Sequence, residues 1–343
     1  MKFISLALAC TLFSACGKDD DSTNSPAALT TQESASTNSA SNLDESMNIL
    51  SDSDQETSGT ALTLNADVNK TRACAVDGDA AKVSVTWNFS NEAGSNGKFA
   101  NISQKIDMSA ELTRVWKKSG SSIACNSGNT HVALDLSSDL TGLTTDVTYK
   151  RSHERAASRT AKNGTITTRS VKAVTAGTRS IVWSSSVVNV DTTVTRSKSV
   201  ASTGTSTRTV IGKDGISTQT SFSVATASDA PLAVEVTYPS ALASEPSSRM
   251  IKSGKLIATA AGSGRVESTF ENLNVSFSAS ACAPESGNVI NRVFAEGATE
   301  ASVVIKIEAA GGTYTATDIT DASNPKEIED FEYQLCDVKS FNN

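Results

Sequence analysis

The 343-residue chain carries a net charge of −7, only 5% aromatic residues and two histidines. Ser, Thr, Ala and Val dominate, and β-branched residues mixed with small polar ones favour strands with hydroxyl-rich exposed faces over long helices. Two histidines leave little material for general-base chemistry, which weighs against most hydrolytic classes before any motif is sought.

The N-terminus reads as an export signal. Lys2 precedes an apolar run from Phe3 to Ala15, which at thirteen residues is too short to span a bilayer, and the small residues Ser14 and Ala15 stand directly before Cys16. This ending, small-small-Cys, resembles the lipobox of bacterial lipoproteins, although the family usually places Leu where this chain has Phe13. The resemblance implies a signal peptide over 1–15 and diacylglyceration of the Cys16 thiol, which becomes the new N-terminus. Cys10, in "ALAC", is a poorer acceptor because its apolar run is shorter still. Each acyl methylene buried contributes about 0.8 kcal/mol, so two or three chains hold a domain on a membrane without a spanning helix. Gly17 in place of Asp argues, by the same resemblance, against retention in the inner membrane. Lys18 followed by Asp19, Asp20 and Asp21 is similar to surface-export signals of some diderm bacteria. The expected address is the outer membrane of a diderm bacterium, lipid-anchored and either periplasmic or surface-exposed.

Residues 17–60 contain no aromatic residue and set Lys18 against nine carboxylates. A segment of that kind buries too little apolar surface to offset its chain entropy, so 16–60 is expected to be a lipidated, disordered tether. Beyond it, an antiparallel β domain is expected over 61–240 and a C-terminal β module over 241–343. The fold class expected is all-β, with meander or sandwich-like sheets.

"KVSVTWNF" alternates Val83, Val85, Trp87 and Phe89 with polar partners, the period of a half-buried strand. The alternation resumes from Ile102 to Trp116, with Ile106, Met108 and Leu112 on the same parity, as one long strand or two joined by a bulge. After the polar "KKSGSS" a further alternating run places Val132, Leu134 and Leu136 together. Asp77 and Asp79 in "VDGDA" lack the full calcium-loop pattern and read as a turn.

In the middle of the chain "SRT", "TRSV", "TRSI", "TRSK" and "TRTV" recur, with Arg159, Arg169, Arg179, Arg196 and Arg208. Reversals are expected at Asn163-Gly164, Ala176-Gly177, Thr203-Gly204 and Asp214-Gly215, giving consecutive hairpins. From Lys150 to Lys213 there are twelve Lys or Arg against Glu154 and Asp191, a charge of +10, so the rest of the chain carries −17. Arginines interleaved with Ser and Thr make an array of fork-shaped donors suited to phosphate or carboxylate groups. The plainer alternative is a set of staggered, solvated arginines, since like charges directly opposite one another destabilise a sheet. Anionic glycan or lipopolysaccharide is the partner this patch suggests. Nucleic acid fits poorly, because only Trp183 is present to stack bases.

Towards the C-terminus Ala301, Val303, Ile305 and Ile307 alternate, Gly311-Gly312 supplies a tight turn, and Tyr314 to Ile319 returns. Asn324-Pro325 with Glu327 predicts one helical turn, and "FEYQLCDV" reads as a final strand. The segment from Cys282 to Cys336 resembles the cysteine-bounded β-modules that end many exported lipoproteins.

Four cysteines remain after Cys16: Cys74, Cys125, Cys282 and Cys336. An even count in an exported chain reads as two disulfides. Of the three pairings, Cys74 with Cys125 and Cys282 with Cys336 are preferred because a long cysteine-free stretch separates the halves. A zinc site is disfavoured, since no two cysteines are close and only His131 and His153 are available.

No nucleophile elbow, phosphate loop, dinucleotide fingerprint or zinc-protease motif is present. No catalytic residue, cofactor or metal is therefore expected. A carboxylate pair for glycoside cleavage needs no local motif, but so few aromatics leave little for a sugar-stacking cleft. Three functional classes follow: a non-enzymatic envelope surface that binds anionic polymers, a lipid or acyl-chain carrier lined by Trp87, Ile106, Met108, Leu112 and Trp116, and, remotely, a secreted hydrolase. A membrane barrel would need an apolar outer band, which the arginine-rich strands contradict.

Overall fold

The computed structural model describes residues 69–94, 102–133, 139–160, 166–188, 193–211, 216–240, 246–260, 264–277 and 282–328. They form one antiparallel sheet, and the chain is all-β. The first half comprises β1 (Asn69–Asp77), β2 (Ala80–Gly94), β3 (Ile102–Lys118), β4 (Leu143–Thr160), β5 (Ile166–Val188) and β6 (Val194–Ile211). The second comprises β7 (Ser217–Thr226), β8 (Leu232–Tyr238), β9 (Ser248–Ala260), β10 (Gly264–Phe277), β11 (Cys282–Phe294), β12 (Val303–Ala310), β13 (Thr313–Asp318) and β14 (Lys326–Glu327). Neighbours in sequence are neighbours in the sheet, with one variation. β6 pairs β7 through Thr203–Ile211 and β8 through Val194–Val200, so β7 and β8 are two pieces of one strand position interrupted at Ala227–Pro231. β8 and β9 also pair with each other, through Ala233–Thr237 and Ser248–Ser253.

Alternation builds the core. In β8, Leu232, Val234, Val236 and Tyr238 are buried while Ala233, Glu235 and Thr237 face outward. The same parity continues through Val303, Ile305 and Ile307 of β12 to Ala316 of β13, so one apolar cluster extends along one face of the sheet. Each fully buried Val, Leu or Ile contributes about 1.5–3 kcal/mol, and this repeated term is what orders such long strands. Trp116 and Trp183 lie stacked within it, ring centroids 6.1 Å apart.

The expected turns divide into two groups. Gly78 (φ 60°) opens the two-residue β1–β2 turn between paired Asp77 and Ala80, and Gly311 and Gly312 both take positive φ between paired Ala310 and Thr313. Asn163-Gly164 and Asp214-Gly215 fall in connections outside the described residues. Ala176-Gly177 and Thr203-Gly204, by contrast, are not reversals. Gly177 lies mid-strand in β5 and pairs Tyr149 on one side and Gly204 on the other. A Cβ on Gly204 would lie 2.6 Å from the Tyr149 hydroxyl, and one on Gly177 would lie 2.7 Å from it. These glycines are required because an aromatic ring crosses their strands, not because the chain turns there.

Of the run after "KKSGSS", Val132 sits in the β3–β4 connection, bridged to Cys125, and Leu134 and Leu136 lie outside the described residues. One further expectation is corrected. Asn324-Pro325 does not start a helix; Lys326 and Glu327 pair Asp318 and Thr317 as β14, because the open edge of β13 offers backbone partners that a single helical turn lacks.

The β3–β4 connection covers the opposite edge. Cys125 is bonded to Cys74 of β1, and the Cys74 N–H donates to the Asn129 carbonyl at 2.7 Å. Ile123, Val132 and Leu140 of the same connection are buried in the core cluster. An edge strand is thereby covered by its own chain, a device that blocks edge-to-edge association. Cys282 opens β11 opposite Phe277, and Cys336 lies outside the described residues.

Within this connection Asp139 accepts from the Thr141 N–H at 2.9 Å and from its hydroxyl at 2.7 Å. The backbone bond, then the hydroxyl, hold the Asp139 carboxyl below its ordinary range. A depressed folded value means that the stabilisation is present above the unfolded carboxylate pKa of about 3.9 and is lost as pH falls through the folded value. The protection factor of the Thr141 amide, referred to the unstructured chain at the same pH, is therefore expected to fall as pH drops through the depressed folded value, below the ordinary carboxylate range, and to lose that dependence in Asp139→Asn.

Candidate anion-binding face

Register decides where the arginines lie. Arg114 pairs Val147, Val147 pairs Arg179, and Arg179 pairs Ser202, so one cross-strand row alternates cation and neutral residue across β3 to β6. A second row runs Arg196, Val236, Arg249, Val275 through β6, β8, β9 and β10. With strands about 4.8 Å apart, successive arginines in a row are separated by about 10 Å, and none faces another directly.

The expected stagger is present, but solvation is not. Arg179 and Arg196 are each 3% exposed, and Arg114, Lys198 and Arg249 are equally enclosed. They are on the core face of the sheet, where aromatic rings from adjacent strands receive them. The Arg179 guanidinium lies 4.3 Å from the Tyr149 ring, Arg196 4.2 Å from Tyr238, and Arg249 5.0 Å from Phe277. The Lys198 ammonium is 5.2 Å from the Trp183 ring. A stacked, desolvated cation of this kind contributes about 2 kcal/mol, and the guanidinium plane lies against a ring with little loss of packing. Lys198 could have been found in sequence, since it shares the parity of Arg196 two residues away. Arg114 and Arg249 belong to none of the repeats, and only register reveals them.

Burial changes how the arginine set must be tested. Serine at Arg179 or Arg196 removes a packed core side chain, and each is expected to lower stability by about 3 kcal/mol, the usual scale for breaking a buried charged contact. A fall in thermal midpoint of several degrees would register it. Loss of ligand retention in those variants would report on the fold, so the informative positions are the other three. Arg159 pairs Ile102, Arg169 pairs Ala157, and Arg208 pairs Ala173, all at register positions of the same parity as Arg179.

The remaining sequence candidates divide as follows. His131 accepts or donates at Nδ1 with the Thr130 hydroxyl at 3.0 Å and is half-buried in the β3–β4 connection. His153 occupies a β4 position between Met108 and Ala173. Asp77 and Asp79 flank the Gly78 turn, and among the described residues no three metal-ligating side chains cluster. Of the five proposed cavity residues, Trp116 is packed in the core under Trp183 and Leu112 is half-buried against it, while Trp87, Ile106 and Met108 are located here by register alone. Cys16 lies outside the described residues. No helix of the described residues is long and apolar enough to cross a membrane.

Comparison with known proteins adds no relative: no family model, no curated protein and no solved structure matches this chain.

Proposed function

We propose that the protein is a lipid-anchored lipoprotein of a bacterial outer membrane, non-enzymatic, whose sheet presents arginines to anionic envelope polymers. The observation that carries the binding half is the distribution of charge on β4 to β6. The arginines of the recurring motifs occupy positions of one parity; Arg179 and Arg196 are buried there, so Arg159, Arg169 and Arg208 are the contacts this reading uses, while the other parity carries hydroxyls and matched charges. Lys172, for example, is 3.5 Å from Glu154 on that second face. The anchor half rests on Lys2, the apolar run and Ser14-Ala15-Cys16. Acyl chains on Cys16 would hold the sheet at the membrane surface, with residues 17–60 as spacer.

Two measurements test it. The parent chain is expected in the membrane fraction and Cys16→Ser in the soluble one; equal partition would reject the anchor. The Cys16→Ser chain applied to immobilised lipopolysaccharide is expected to elute as salt rises, because counterion release weakens such contacts. Passage without retention at low salt would reject the binding half.

A further inference from the structure

Among the described residues four large hydrophobic side chains are exposed: Val76, Val182, Ile211 and Ile216. Apolar residues scattered singly over a surface need no explanation, and Val76 in β1 and Val182 in β5 are of that kind. Ile211 and Ile216 differ because they bracket one hairpin. Ile211 is the last residue of β6, Ile216 directly precedes β7, and Ile211 pairs Ser217 across the connection of residues 212–215. Ile216 is 65% exposed and Ile211 38%, so two open isoleucines meet at the end of this hairpin.

Topology places the hairpin at the end of the sheet where the chain enters. The cross-strand row through Asn69 reads Asn88, Ser109, Ser152, Val174, Thr207, Ser221. β1 therefore begins four residues below the level of Ile211, about 13 Å along the strand direction, and runs away from it. The chain N-terminal to Asn69 joins the sheet at the hairpin's end. Charge in the sequence is divided the same way. The β2–β3, β4–β5 and β6–β7 connections at this end contain Lys98, Lys162 and Lys213 against Asp214 alone. The connections at the opposite end, residues 78–79, 119–142 and 189–193, contain four aspartates and no Lys or Arg. In the second half of the sheet the β11–β12 connection brings Glu296 and Glu300 to the hairpin's end, so the cationic portion is that of β1 to β7.

An apolar hairpin end, cationic connections beside it and chain entry on the same side fit one occupant, a lipid surface. Resting on the anchor reading above, we infer that the β6–β7 hairpin end lies in the headgroup region of the bilayer that holds Cys16, with Ile211 and Ile216 inserted. An anionic leaflet attracts this end of the sheet and repels the aspartate-bearing end. Two isoleucines alone give only a millimolar contact. The spacer makes that sufficient: residues 17–60, as the tether the sequence predicts, span about 35 Å root-mean-square and hold the sheet at a millimolar effective concentration. The acyl chains keep the protein on the membrane, and the hairpin sets its orientation, end-on, with neither face of the sheet laid against lipid.

The test uses the acylated full chain reconstituted into vesicles of phosphatidylethanolamine and phosphatidylglycerol, with or without phosphatidylcholine brominated high in its acyl chains. Ile216→Trp places a reporter at the hairpin and Val182→Trp one on the sheet, and the parent's three tryptophans give the background to subtract. Bromination is expected to quench the added emission of Ile216→Trp severalfold more than that of Val182→Trp, with a blue shift on reconstitution in the first alone. Ile211→Trp is a second reporter at the same end, and a melting midpoint close to the parent's shows that a variant has folded. Equal quenching of hairpin and sheet reporters, in chains that float with the vesicles, overturns the inference and leaves the anchor standing. A parent chain that does not float with the vesicles overturns the anchor reading, and the inference falls with it.

Discussion

Gly177→Ala is expected to be among the most damaging single-methyl additions in the chain, lowering stability by about 3 kcal/mol, the upper range for overpacking. Its Cβ would lie 2.3 Å from the Thr203 carbonyl oxygen, 2.8 Å from Gly204 Cα and 2.7 Å from the Tyr149 hydroxyl, and two of those three are backbone. Gly204→Ala differs in kind. Its only contact under 3.0 Å is with the Tyr149 hydroxyl, and the next, the Ala176 carbonyl oxygen, is an accommodating 3.4 Å away. Tyr149→Phe should therefore bring Gly204→Ala back close to the Tyr149→Phe background and leave most of the Gly177→Ala loss in place. Reversible urea unfolding of the two double-mutant cycles would show this as a large coupling for Gly204 and a smaller one for Gly177. Equal recovery in both would mean that β5 and β6 are not as close as this geometry requires.

The second large effect belongs to the disulfide. Breaking Cys74–Cys125, either with reductant or as Cys74→Ala/Cys125→Ala, is expected to cost about 4 kcal/mol on chain-entropy grounds. The two residues are 51 apart in sequence. The loss has a structural part as well, because Ile123, Val132 and Leu140 are held against the core by the same connection and the Cys74 N–H would lose its Asn129 acceptor. An exposed β1 edge should make the reduced protein self-associate with increasing concentration, readable by light scattering. A reduced chain of unchanged midpoint and monodisperse mass would contradict this account of the edge.

These two sites also show where the sequence was legible. β12 and the Gly311-Gly312 turn were readable because alternation and turn chemistry are local: Val303, Ile305 and Ile307 are buried as their spacing implies. The disulfide followed from cysteine count and separation. Gly177 and Gly204 were misread as turns because the feature that keeps them mid-strand, the Tyr149 ring, comes from β4, far away in sequence. Arginine burial failed for the same reason. The motif repeats give the parity of Arg179 and Arg196, but the rings that shield them, Tyr149 and Tyr238, belong to neighbouring strands. Asn324-Pro325 carried a capping signal that an adjacent strand edge overrode. Thus the face of each arginine was implicit in the sequence, whereas which face is buried emerged only from register.

The account rests on one face of a sheet, not on net charge, and a comparison of two triple variants separates these. In the Cys16→Ser background, Arg159→Ser/Arg169→Ser/Arg208→Ser removes three cations from one parity, and Lys105→Ser/Lys150→Ser/Lys172→Ser removes three from the other; both change net charge equally. Retention on lipopolysaccharide is measured across a salt series. The arginine variant is expected to lose roughly one unit of log–log salt slope per lost contact, and the lysine variant to keep the parent slope. Equal losses in the two variants, or the larger loss in the lysine variant, would contradict the assignment of binding to the arginine-bearing face.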